Sequence, residues 1–101
     1  MDPDLPSIMV GDVVRSLAGH DAGLLFYVID ADDAYLTLVS GRGRTLNKPK
    51  TKKRKHTAFV LRPETRVAEK IRKGEPLHDS EVRKDLAYLS RQTECIEPIG
   101  G

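Results

Sequence analysis

Between Asp12 and Arg62 the chain alternates short apolar runs with clusters of turn-forming residues, which is the rhythm of strands rather than helices. Asp12–Leu17 (D-V-V-R-S-L) opens the series, Leu24–Ala31 (L-L-F-Y-V-I-D-A) follows, and Tyr35–Val39 (Y-L-T-L-V) is the third. In the third, Leu36 and Leu38 fall on one face of a period-two strand and Tyr35, Thr37 and Val39 on the other. Arg44–Leu46 reads as a short fourth strand and Thr57–Arg62 as the last. Between them lie a tight glycine-bracketed loop at 19–23, an acidic turn at Asp32-Asp33 and a second turn at Ser40-Gly41-Arg42-Gly43. Five short strands in about fifty residues favour a small antiparallel barrel over a sandwich.

After Pro63 the period changes. Glu64–Lys73 carries Val67 and Ile71 at i, i+4, with Gly74 placed to end a helix and Pro76 beyond it. Asp79 or Ser80 can cap a second helix, in which Val82, Leu86 and Leu89 recur on one stripe. The expected organisation is a loose arm at 1–7, a barrel at 8–63, a helical extension at 64–91 and a frayed tail at 92–101. The helices read as leaning on the barrel or on a partner. Of the aromatics, Phe26 and Phe59 sit in apolar strands and are expected in the core.

Charge changes this picture most at one place. The first 41 residues hold seven aspartates against one arginine, and residues 57–101 hold eight acids against eight bases. Residues 42–56 (R-G-R-T-L-N-K-P-K-T-K-K-R-K-H) hold eight bases and no acid. The whole-chain net charge of +2 conceals this run. Like charges at such density repel one another in the free protein, and an anion relieves that cost. Nucleic acid is the natural candidate, because each phosphate contact also releases condensed counterions. A solvated loop, an anionic surface, an acidic protein partner and a nuclear-import signal are the other readings of such a cluster. No aromatic lies within the run, so recognition is expected to use phosphates and shape rather than base stacking, which suits structured RNA.

Other chemistry finds little support. His20, His56, His78 and Cys95 lack the paired spacing that preorganises a tetrahedral metal, and no cofactor motif is present. A single cysteine gives no internal disulfide framework and fits a reducing compartment. There is no Walker loop or Gly-x-Ser-x-Gly elbow, so an enzyme is not expected. Neither a signal peptide nor a membrane span is legible, and a soluble, cytoplasmic protein is expected.

The stretch G-D-V-V-R-S-L-A-G-H-D-A-G-L-L-F-Y-V resembles the KOW motif, a strand–loop–strand element of ribosomal and transcription-factor domains. Its Gly-Asp start is Gly11-Asp12, its apolar alternation Val13 and Leu17, and its loop glycines Gly19 and Gly23. The motif commonly has Lys or Arg before the second glycine, where this chain has Ala22. An acidic D-A-D-D turn, a basic segment ending K-K-R-K-H, L-R-P-E-T and D-S-E-V-R-K-D-L then follow. That order, over residues 8–91, is similar to the fourteen-e type large-subunit ribosomal proteins of archaea and eukaryotes and to short stand-alone bacterial KOW proteins. The resemblance implies a mainly β, SH3-like barrel that binds ribosomal RNA of the large subunit, with neighbouring ribosomal proteins as further partners. The RNA-binding residues expected are Gly19, His20, Gly23, Arg42, Arg44, Lys48, Lys50, Lys52, Lys53, Arg54, Lys55 and His56. The acidic turn (Asp30, Asp32, Asp33) is expected to face away from them. A protein-interaction barrel or a non-ribosomal RNA-binding regulator is the alternative.

Overall fold

The computed structural model describes residues 7–96. Five strands, β1 (Val13–Ser16), β2 (Leu25–Ala31), β3 (Tyr35–Val39), β4 (Lys50–Lys53) and β5 (Thr57–Leu61), form one antiparallel sheet in the order β4-β3-β2-β1-β5. Its two edges, β4 and β5, are joined only by a 3₁₀ turn at Arg54–His56. Three residues reach roughly 10 Å, so the sheet must curl until its edges nearly meet. The turn is pinned at both ends: Arg54 N–H donates to the Ala34 carbonyl at 2.9 Å, and the His56 carbonyl accepts Leu17 N–H at 2.9 Å. The result is a small barrel-like sheet that is not hydrogen-bonded shut, followed by helices α1 (Arg66–Lys73) and α2 (Asp79–Ile96).

Strand alternation sorts the apolar residues into two cores. Val14, Phe26, Val28, Leu36 and Leu38 fill the inside of the curl. Val13, Tyr27 and Val39 point outward and are covered by Val67, Ala68 and Ile71 of α1 and by Val82, Leu86 and Leu89 of α2. The helices therefore dock on the sheet. Thr65 caps α1 by accepting Ala68 N–H at 3.2 Å, and the chain leaves α1 at Gly74, with Glu75 N–H closing back on the Lys70 carbonyl at 2.9 Å.

The outer core contains one polar junction. Tyr27, fully buried, donates its hydroxyl proton to the Asp85 carboxylate, and Thr65 Oγ1 donates to the same carboxylate at 2.8 Å. Burial and the Asp85 carboxylate both push the Tyr27 phenol well above its ordinary value, so it remains a donor. Replacing Tyr27 with Phe removes one charge-assisted bond that ties sheet to helix. Urea unfolding is expected to show a loss of about 1.5–3 kcal/mol with an unchanged slope.

Several expectations need correction. Arg44–Leu46 is not a strand; the fourth strand is Lys50–Lys53, inside the basic run. Lysine is a poor strand former in isolation, but it is a common device on a sheet edge, where it discourages pairing with other chains. Asp79 does not cap α2. Its carboxylate reaches across to accept Leu46 N–H at 2.7 Å, while His78 occupies the cap and its N–H is taken by Glu81 Oε2 at 3.0 Å. Phe26 is buried as expected, whereas Phe59 is only half-buried and carries the Arg62 guanidinium 5.7 Å from its ring centroid. Finally, α2 runs to Ile96, past the expected end at 91. The rest of the expected tail, 97–101, and the arm at 1–6 lie outside the described residues.

Candidate nucleic-acid interface

The strand character of β4 divides the basic run between two faces. Lys50 and Lys52 stand opposite Leu38 and Leu36, so they share the inner face of the curl. Thr51 and Lys53 stand opposite Thr37 and Tyr35 on the outer face. Period two thus sends alternate lysines of one strand to different tasks.

The inward pair is taken up by Asp21 in the loop between β1 and β2. Lys52 Nζ lies 3.1 Å from Asp21 Oδ1 and donates to the Ala18 carbonyl at 2.9 Å; Lys50 Nζ lies 2.7 Å from Asp21 Oδ2. The Lys50 contact is a charge contact rather than a well-aligned hydrogen bond. Ser16 Oγ donates to Asp21 Oδ1 at 2.8 Å. Burial pushes the Asp21 carboxyl up, but Lys50, Ser16 and Lys52 together outweigh it and hold the group well below the usual carboxylate range. Lys52 is only 9% exposed, an unusual place for a lysine unless it is paired. These contacts lock the 19–23 loop, in which Gly19 and Gly23 have the positive φ expected of them, against the edge strand.

The loop between β3 and β4 carries Arg42, Arg44 and Lys48, all exposed. Its shape is held from within: Ser40 and Gly41 both donate N–H to the Arg44 carbonyl, at 2.8 and 3.1 Å. It is also held by α2. Asp79 accepts Leu46 N–H at 2.7 Å, and Arg83 donates to the Gly41 carbonyl at 3.3 Å. The helical extension therefore sets where the basic loop stands. Between this loop and the 19–23 loop runs a groove of about 560 Å³, lined by Gly19, His20, Arg42, Arg44 and Lys50 among others. An adjoining groove of about 480 Å³ includes Gly23, Arg42 and Arg83.

The other end of β4 presents a second cationic surface. Lys53 and Lys55 are exposed there, whereas Arg54 is engaged with backbone, donating to the Asp32 carbonyl at 2.7 Å and the Ile8 carbonyl at 3.0 Å. Asp33, Ala34, Tyr35, Lys53, Arg54 and Lys55 line a groove of about 440 Å³. The acidic turn is consequently not turned away from the cations: Asp33 shares their groove. Asp32 is occupied in the turn itself. The N–H groups of Tyr35 and Ala34, at 2.7 and 3.0 Å from its Oδ1, hold its carboxyl below the ordinary value. His56 is half-buried in the 3₁₀ turn, away from both grooves.

Of the twelve residues expected from sequence, Gly19, His20, Arg42, Arg44 and Lys50 come together in one groove, and Lys53, Arg54 and Lys55 in another. Lys52 is committed to the interior. Tyr35 and Arg83 carry no signal in the sequence that marks them as site residues. Tyr35 becomes visible only when Lys50–Lys53 is recognised as the strand beside β3, and Arg83 only when α2 is docked. Among the described residues, no group of three His, Cys, Asp or Glu could hold a metal ion, and no helix is long and apolar enough to cross a membrane. A scan against protein-family models finds no match for this chain, and a search of the curated proteins finds none either.

Proposed function

We propose that this protein binds structured RNA through the β4 edge and its two flanking loops, and that the RNA is ribosomal, of the large subunit. The observation that carries the first part is the disposition of the run from Arg42 to Lys55. Its charges are spread along a rigid strand and two pinned loops, with Arg42, Arg44, Lys48, Lys53 and Lys55 left exposed. A strand of four residues separates the two ends by roughly 10 Å, so the cations form an extended track rather than a point. An extended track suits a phosphate backbone better than a single small anion. The ribosomal part rests on the KOW-like hairpin and the order of the segments that follow it.

Fluorescence titration of the full chain with a large-subunit RNA fragment tests the reading. Five phosphate contacts predict a log–log salt slope of about −3.5 to −4.5. Changing Arg42, Arg44, Lys48, Lys53 and Lys55 to Gln should bring the slope close to zero. Binding that is absent, or a slope that survives these changes, would overturn the RNA reading. Co-sedimentation with purified large subunits tests the ribosomal assignment separately; recovery only with a non-ribosomal protein would favour an interaction module instead.

A further inference from the structure

The groove at the acidic-turn end of β4 differs in kind from the one between the loops. Its wall is Tyr35, a 42% exposed aromatic standing directly opposite Lys53 across the β3–β4 ladder. Lys55 follows in the 3₁₀ turn, and Asp33 closes the rim. Directly opposite residues in an antiparallel pair hold their Cβ atoms roughly 5 Å apart, so the ring and the Lys53 stem are neighbours on one open surface. Among the described residues the cation–π contact is that of Arg62 on Phe59, and no described cation covers the Tyr35 ring. α1 and α2 cover the outer face of the sheet over Val13, Tyr27 and Val39, and leave the Tyr35 end open.

We infer that Tyr35 is a stacking platform for a single unpaired base of the bound RNA, with Lys53 and Lys55 holding the phosphates on either side of it. This deepens the RNA-binding reading and depends on it. Three features select a base over a bare phosphate. An exposed aromatic face gains from a flat π-system and gains nothing from a phosphate. The Asp33 carboxylate at the rim repels phosphate but accepts N–H groups, which base edges carry. A groove of about 440 Å³ is large enough for one flat ring and small for a duplex. The inference also changes the expected mode of recognition. The basic run contains no aromatic in sequence, yet strand pairing supplies one from β3.

The test uses the full chain and two short RNA duplexes, identical except that one carries a single bulged 2-aminopurine. The bulged duplex should bind roughly tenfold tighter or more. Its fluorescence should be quenched on binding. Tyr35→Ala should abolish both the preference and the quenching while leaving the salt slope, which counts phosphates, unchanged, and should lower the melting temperature by no more than about 8 °C, the loss of one cross-strand pair. Tyr35→Phe should retain both effects. Equal affinity for the two duplexes, or quenching that persists in Tyr35→Ala, would overturn the platform while salt-dependent binding continued to support the broader reading. Loss of binding to both duplexes at all salt concentrations would remove both.

Discussion

The Gly41→Ala variant is expected to melt about 12 °C or more below the parent chain, from a loss of about 3 kcal/mol. Two costs combine. Gly41 has φ +78°, a left-handed conformation that an L-residue adopts at a cost of roughly 1–2 kcal/mol. A Cβ there would also stand 2.7 Å from the Arg83 backbone nitrogen and closer still to the Asp79 carbonyl. Both atoms are main chain in the first five residues of α2, so neither can step aside as a flexible side chain would. The loop carrying Arg42 and Arg44 or the helix itself must move. Gly43→Ala is the matched control. Its φ is +77°, but a Cβ there meets nothing within 4 Å, so only the strain remains. Calorimetry of the two variants separates these contributions, and equal melting temperatures would rule out the close approach of the loop to α2. On the proposed RNA-binding reading, RNA affinity should fall in Gly41→Ala more than in Gly43→Ala, because only the former displaces the loop from its support.

A second large effect is expected at Asp21. Changing it to Asn preserves shape and an acceptor oxygen but removes the negative charge that the buried Lys52 ammonium and Lys50 face. Breaking a buried pair from one side costs roughly 3 kcal/mol, at the low end of the usual range because Lys50 and Asp21 retain some access to water. The same pair sets an acid dependence. The folded Asp21 carboxyl lies below its ordinary value of 3.8, because Lys50, Ser16 and Lys52 outweigh the effect of burial. Its contribution to stability is therefore fully present above that value and is lost as pH falls through it and below. Urea unfolding at a series of pH values between about 6 and 2 should show the parent chain losing stability more steeply than Asp21→Asn. Parallel curves would mean that Asp21 is not held by the two lysines.

Much of the fold is legible from periodicity. The third strand is read to its ends, and the helical stripe of Val67, Ile71, Val82, Leu86 and Leu89, expected to lean on the barrel or on a partner, packs into the outer core of the sheet. Such residues declare themselves because burial is a property of the local pattern. The fourth strand does not, since its residues are Lys-Thr-Lys-Lys and its pairing is bought by a neighbour, β3, rather than by its own composition. The same limit applies to the site. A lysine free to meet phosphate and a lysine spent on Asp21 look alike in sequence. Only the cross-strand register, which puts Lys50 and Lys52 on one face and Lys53 on the other, tells them apart. Asp79 shows the reverse case. Its position fits a helix cap, but the Leu46 N–H across the fold claims its carboxylate.

That last contact bears on the order in which the molecule is made. The residues that moor the basic loop, Asp79 and Arg83, follow every strand in the chain and lie 33 and 42 positions beyond the groups they hold. A nascent polypeptide can close its sheet before either has been synthesised. Until then its cationic loop is attached only at its two strand ends. The proposed affinity for RNA should therefore mature late, after the second helix has been made and has folded back, and a chain stopped short of Asp79 would present the same charges without a fixed arrangement.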